Sequence, residues 1–211
     1  MDFEAMRRGA ETPQIAGRGQ IAAVANDLAA AFEPDPDFAW FSRPDERRDT
    51  ARAGFFRFAL RRMRRAGGEI LRPATGGAAA VWIASERIAP TPLLTELTGL
   101  PTLLALTGWG RFGRLTQMRD AMAKHHPHDR PHDYLYFLGV TPEAQGHGIG
   151  SRLLKSRLAQ LDAAGRPAFL ETATEANVRL YGRHGFTVIA EFRPGASGPT
   201  NWSMWREPQV A

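Results

Sequence analysis

The chain has 211 residues, 43% of them apolar and 23% charged, enough for one globular unit with its own core. It contains no cysteine, which excludes disulfides, thiolate catalysis and cysteine–metal sites and accords with a reducing compartment. The formal charge is +5, and only Lys124 and Lys155 are lysine among 27 lysines and arginines, which leaves open a phosphorylated ligand, a nucleic acid or an arginine-rich solvated surface.

No segment has the length of a membrane span. Met1–Arg8 carries charges before any apolar run, unlike a signal peptide. The expected setting is therefore the cytoplasm, and neither a membrane nor a nucleic acid is an expected partner. Met1–Thr12 is polar and is expected to fray. Pro13–Arg18 holds a weak strand signal. Between Gln20 and Phe32, Ile21, Val24, Ala25, Leu28 and Phe32 share one helical face. Glu33–Asp37 contains two prolines and ends that helix. Phe38, Trp40 and Phe41 follow as an aromatic knot, readable as core or as the lining of a substrate pocket.

Arg43–Arg65 reads as a second helix with Pro44 or Asp45 near its start. Arg61, Arg62, Arg64 and Arg65 crowd its last turns, where cations offset the helix dipole. Gly67-Gly68 terminates it. Glu69–Arg72 and Ala78–Ala84 read as a hairpin about a Pro73–Gly77 turn. A helical insert is expected from Ala89 to Lys124. Its first part is rich in leucine at Leu93, Leu94, Leu97, Leu103, Leu104 and Leu106, with a break at Gly99-Leu100-Pro101. Its second part, Trp109–Lys124, carries the stripe Phe112, Leu115, Met118 and Met122. An insert between strands is well placed to shape a substrate pocket.

His125–Asp133 has four histidines and two prolines. No carboxylate partner stands at metal-ligand spacing, so no metal is expected. The stretch reads as a polar linker, with His132, which abuts the next strand, as a candidate proton acceptor.

Tyr134–Val140 reads as a buried strand, stopped by Thr141-Pro142. Gln145-Gly146-His147-Gly148-Ile149-Gly150-Ser151 then leads into a helix with Ile149, Leu153, Leu154, Leu158 and Leu161 on one side. A glycine-rich loop at a helix start offers unpaired amides and a favourable dipole to an anion. The loop lacks the lysine of a Walker motif, and its third glycine falls one residue early for a dinucleotide fingerprint. Ala163-Ala164-Gly165 closes the helix. Ala168–Thr172 is the next strand, Glu175–Arg183 a short helix, and Phe186–Phe192 and Thr200–Arg206 are the last strands. In order, these elements give a mixed α/β fold with one sheet.

Gln145, Gly148 and Gly150 fit a Gln-x-x-Gly-x-Gly pattern, which resembles the pyrophosphate loop of the GNAT superfamily of N-acetyltransferases. Leu138-Gly139-Val140-Thr141-Pro142 is similar to that superfamily's strand before the loop. A narrower resemblance, to puromycin N-acetyltransferase and its relatives, lies in Pro167–Thr172, Asn177, Leu180-Tyr181, Gly185–Val188 and Pro199-Thr200 with Trp202 and Met204. It covers the chain from about His132 onward.

The resemblance implies a single domain over residues 1–211, with an acetyl-CoA-binding core at about 132–206 and a mostly antiparallel sheet flanked by helices. It implies acetyl-CoA as cosubstrate, held by Leu138, Gly139, Val140, by Gln145, Gly146, His147, Gly148, Ile149, Gly150 and Ser151, and by Asn177 and Tyr181. It further implies that the strands Tyr134–Val140 and Ala168–Thr172 splay to admit the pantetheine arm. The expected reaction is acetyl transfer to a small-molecule primary amine, with a protein or peptide acceptor or a sensor role as alternatives. Tyr181, four residues after Asn177 on one helical face, is the candidate general acid. Glu171 and His132 are the candidate bases. Phe38, Trp40 and Phe41 are the candidate acceptor-pocket residues. A homodimer is compatible with the five tryptophans and the apolar insert.

Overall fold

Alternation of side chains along each strand gives the sheet two apolar faces, and each face recruits its own helices. The structure is a computed structural model that describes residues 2–88 and 93–209. Ala89–Pro92 and the side chains of Leu93, Leu94 and Leu97, all at the head of the expected insert, lie outside the described residues.

Seven strands form the sheet: β1 (Gln14–Ile15), β2 (Glu69–Arg72), β3 (Ala78–Ala84), β4 (Asp133–Val140), β5 (Ala168–Thr172), β6 (Thr187–Phe192) and β7 (Asn201–Arg206). Their spatial order is β1-β2-β3-β4-β5-β7-β6, and every neighbouring pair is antiparallel except β4–β5. The helices are α1 (Phe3–Glu11), α2 (Ile21–Ala31), α3 (Pro36–Phe41), α4 (Arg48–Arg65), α5 (Leu93–Thr107), α6 (Phe112–His125), α7 (Ile149–Ala163) and α8 (Glu175–Gly182). The fold is the expected mixed α/β class.

On the first face, Met6 and Ala10 of α1, Leu153, Leu154, Leu158 and Leu161 of α7 and Tyr181 of α8 pack on Ala80, Trp82, Leu135, Leu170 and Met204. On the second, Val24 and Leu28 of α2, Phe38 and Phe41 of α3, Phe56 and Leu60 of α4, Leu106 of α5 and Leu115 and Met118 of α6 pack on Ile70, Ala79 and Val81.

Three local expectations change. Residues 3–11 are not frayed. Asp2 caps them, accepting from Ala5 N at 2.9 Å, and Met6 and Ala10, four apart, are buried against the sheet. The second helix begins at Arg48, because Arg43 N donates to Leu106 O and the Arg43 guanidinium engages Asp45, holding 43–47 out of the helix. The break at Gly99-Leu100-Pro101 is absent: α5 runs through Pro101 unbroken. Proline removes one amide bond, while Gly99 lets α5 lie against α4. A Cβ at Gly99 would stand 2.7 Å from Phe58 Cζ.

Two features of β4 open the sheet on one side. Val81 pairs with Phe137 but Trp82 pairs with Leu135, which leaves Tyr136 as the extra residue of a β-bulge. And β4 pairs with β5 only at Asp133–Ala168 and Tyr134–Phe169. Beyond those two pairs the strands part, so the sheet carries a fork that opens toward the C-terminal end of β4.

Candidate functional site

The closed end of the fork is an ionic knot. Asp133, 3% exposed, accepts from Arg157 Nη2 at 2.8 Å and from Arg166 Nε, and Arg166 also engages Glu86 and His132 O. The open end leads to the glycine loop. Thr141-Pro142 starts a short 3-10 turn, and Gln145 Nε2 donates back to Val140 O at 3.1 Å. Gly146 and Gly148 take φ of 78° and 71°, the left-handed region that a side chain disfavours. Gly148 is the N-cap of α7, so the amides of Ile149, Gly150 and Ser151 open a helix start with no intrahelical acceptor.

The third glycine has a packing reason. A Cβ at Gly150 would stand 3.2 Å from Val140 Cγ2, so glycine lets α7 begin directly against β4. The loop from Gln145 to Gly148 is exposed. The His147 ring stacks on Phe3 at 4.0 Å, and Ser151 Oγ lies 2.6 Å from His184 Nε2. Glycine backbone, free first-turn amides and an open mouth fit a phosphate group.

Tyr181 and Glu171 flank the fork from opposite faces. Tyr181 lies on the α7 face, 6% exposed, its ring edge-on to Phe186 at 5.9 Å. Burial, and then the charge of Asp35, push its phenol well above the ordinary value, so it stays protonated at neutral pH. Thr174 caps α8, accepting from Asn177 N at 3.3 Å. Asn177 sits half-buried one turn before Tyr181, as its spacing predicts.

Glu171 lies on the α2–α6 face. Tyr134 donates to its Oε2 at 2.5 Å, while its Oε1 is enclosed and without a partner. Burial pushes the carboxyl up to about 7 against the lowering effect of the Tyr134 bond, with the charge of Asp37 adding to the rise. Asp37 is likewise pushed up to about 7, first by burial and then by Asp35. Asn201 Nδ2 donates to Asp37 Oδ1 at 2.9 Å.

Other expected residues fall elsewhere. His132 is fully buried at the closed end, its Nδ1 donating to Arg130 O at 2.8 Å and its ring edge-on to Phe169 and Trp205. It does not meet Glu171. His126 packs against Tyr134 and Phe169, and burial holds it down at about 4, so this histidine segment is partly core rather than a plain polar linker. Among the described residues no group of three or more His, Cys, Asp and Glu could hold a metal. Phe38 and Phe41 are buried side chains, and Phe38 packs on Phe41, Phe55 and Phe56. Trp40 is half-buried against the same cluster and donates to Ser197 Oγ at 3.2 Å in the β6–β7 loop. Gly139 points the other way from the glycine loop, since a Cβ there would meet Leu28 Cδ2 at 2.7 Å.

No sequence motif singles out Asp37, Tyr134, Asn201 or Ser203. Asp37 reads there as one acid in a proline turn. The others stand on strands as ordinary alternating residues, and only the pairing of β4, β5 and β7 brings them to Glu171.

The sheet order and the helices packed on its two faces are those of solved acetyltransferase structures. Residues 114–188 match the family model of the acetyltransferase (GNAT) domain. The chain is 36% identical over 64 residues to a mycothiol acetyltransferase of Propionibacterium freudenreichii, a match that covers 29% of the chain and 20% of that relative. Its fold superimposes on an acetyltransferase of Corynebacterium glutamicum, described as histone acetyltransferase and related acetyltransferase, with TM-score 0.69 and 23% identity over 94% of this chain and 97% of that one. It also superimposes on arylalkylamine N-acetyltransferase 2 of Aedes aegypti, with TM-score 0.64 and 10% identity over 93% and 98%. Among the described residues no helix is long and apolar enough to cross a membrane.

Proposed function

We propose that the protein is an N-acetyltransferase that moves the acetyl group of acetyl-CoA to a small-molecule primary amine by direct attack. The observation that carries this reading is the fork, two parallel strands paired over two residues and opening toward the glycine loop and the α7 start. Acetyl-CoA supplies the acetyl group as an activated thioester. The amides of Ile149, Gly150 and Ser151, with the backbone of Gln145–Gly148, hold the pyrophosphate. The β4 edge at Leu138–Val140 and Asn177 flank the arm.

The amine approaches from the α2–α6 face, where Glu171 Oε1 takes its proton. The nitrogen bonds to the acetyl carbon, the carbon–sulfur bond breaks, and Tyr181 gives its phenolic proton to the departing sulfur. Solvent returns a proton to Tyr181 and takes one from Glu171. Base and acid on opposite faces of one fork suit a reaction that removes a proton on one side and adds one on the other.

A small acceptor is favoured by the cover over the Glu171 side. Arg114 donates to Trp40 O at 2.9 Å, Trp40 to Ser197, and a Cβ at Gly195 would meet Gln117 Oε1 at 2.6 Å, so α3, α6 and the β6–β7 loop close on one another. The same reading treats residues 1–211 as one domain. The motifs from Pro167 to Met204 support kinship with puromycin N-acetyltransferase-like proteins, which places aminonucleosides among the acceptors to try.

The test is thiol release from acetyl-CoA across small amines, polyamines, aminonucleosides and short peptides. Turnover confined to one class of small amine is the expected result. Turnover on peptides alone would replace the acceptor, and silence with bound acetyl-CoA would favour a sensor.

A further inference from the structure

Many arginines of this chain are matched by carboxylates: Arg43 by Asp45, Arg130 by Glu207, Arg157 and Arg166 by Asp133, and Arg206 by Asp162. One surface departs from that rule. Among the described residues, the side chains of Arg18, Arg57, Arg61, Arg64 and Arg65 make no ion pair and no hydrogen bond. Arg57, Arg61 and Arg65 stand four apart on one ridge of α4, spanning about 12 Å along the helix axis. Like charges at that spacing repel and weaken the helix that carries them. The helix dipole offsets this for Arg64 and Arg65 in the last turn, but its effect fades before Arg61 and Arg57.

These side chains border two open recesses. The larger, of about 610 Å³, lies between α4 and α5 and is lined by Arg57, Arg61 and Arg65 together with Phe58 and Thr102. The smaller, of about 300 Å³, lies between α4 and the start of α2 and is lined by Arg18 and Arg64 and again by Arg61 and Arg65. The two shared arginines join the recesses into one basic trough. No residue of β4, β5, α7 or α8 lines either recess, so the trough is separate from the fork and the glycine loop. The larger recess has the size of a small-molecule site. A guanidinium presents paired donors that match phosphate oxygens. Five of them along this length exceed what one phosphate can engage, and suit a chain of phosphates. A nucleic-acid duplex would meet only the exposed rim of such a recess, whereas a phosphate chain can enter it.

We propose that the trough between α4, α5 and the start of α2 is a second ligand site, which binds a small oligophosphate through Arg57, Arg61 and Arg65 with Arg18 and Arg64 at its far end. The phosphate chain can be free or can belong to a nucleoside polyphosphate whose base lies against Phe58. The site is independent of the acetyl-transfer reading and stands or falls without it.

The test is calorimetric titration of the full chain with inorganic triphosphate, ATP, citrate and a short DNA duplex, with excess coenzyme A present to occupy the glycine loop. Arg61→Gln/Arg65→Gln is compared with wild type and with Arg130→Gln/Arg193→Gln, which removes the same charge elsewhere on the surface. Triphosphate should bind wild type with one-to-one stoichiometry and lose affinity as salt rises. Its affinity should fall tenfold or more in Arg61→Gln/Arg65→Gln and stay within about twofold in the control variant. Tighter binding of ATP would assign the site to a nucleotide, and equal binding would assign it to the phosphate chain alone. No binding of triphosphate to wild type overturns the proposal, as does an equal loss in both variants, which would mean net charge only. Citrate binding as tightly as triphosphate would overturn the phosphate class, and binding of the duplex alone would make the surface a nucleic-acid face instead.

Discussion

At the level of single residues, Glu171 and Asp37 set two opposite pH dependences in one window. Both carboxyls are pushed up to about 7 by burial. The folded chain therefore holds protons that the unfolded chain has released, and their contribution to stability falls as pH rises from the ordinary carboxylate range through about 7. Thermal midpoints measured across that range should decline, and Glu171→Gln together with Asp37→Asn should flatten the decline. The proposed catalysis runs the other way, because a carboxylate base accepts a proton only when ionised. kcat/KM should rise with pH through about 7. In Glu171→Gln turnover should drop by roughly 100- to 10,000-fold, with that limb of the profile lost. Tyr181→Phe removes the proposed acid on the other face. Turnover should fall about 100-fold while acetyl-CoA affinity, read by calorimetry, stays near wild type.

Among the elements, β4 and the loop after it depend on glycine for different reasons. Gly148 caps α7 at φ 71°, so Gly148→Ala should cost roughly 1–2 kcal/mol and weaken acetyl-CoA binding by turning the first amides. At Gly139 the limit is space rather than angle. A methyl there would stand 2.7 Å from Leu28 Cδ2 and 2.9 Å from Ala31 Cβ, so Gly139→Ala should cost about 1–3 kcal/mol in urea unfolding by forcing α2 away from the sheet. Elements with strong local signals are legible in the sequence: the bounds of β2, β3 and β5 and the buried stripe of α7 follow from alternation and helical spacing. Weakly patterned ones are not. α1 buries only Met6 and Ala10 within a charged stretch, and α5 continues through a proline because α4 receives it at Gly99. In the candidate site, the glycine loop and Tyr181 are the parts that a sequence motif singles out. Asp37, Asn201 and Ser203 reach Glu171 only through pairing between segments more than 25 residues apart, which no local pattern records.

For the molecule as a whole, the fork needs a fixed apex. Asp133, enclosed between Arg157 and Arg166 where β4 and β5 are still paired, supplies it. Removing that charge leaves two partly buried arginines with Glu69 and Glu86 as their remaining carboxylate partners. Asp133→Asn should therefore lower unfolding stability by about 1–3 kcal/mol in guanidinium and loosen the pairing of β4 with β5.

The bulge at Tyr136 also changes how the protein can be altered by length. A strand repeats every two residues, so one extra residue is a phase fault: segments on either side of it answer to opposite parity. Tyr134 and Phe137, three apart, both face the α4 side, whereas Leu135 and Leu138 both face α7. Deleting Tyr136 would restore an even count. It would also rotate one part of the strand half a turn against the other, carrying the Tyr134 hydroxyl away from Glu171 or the residues before the glycine loop away from α7. The same composition one residue shorter would thus retain a sheet and lose the placement of Glu171 and Tyr181 on opposite faces of the fork that the proposed reaction uses.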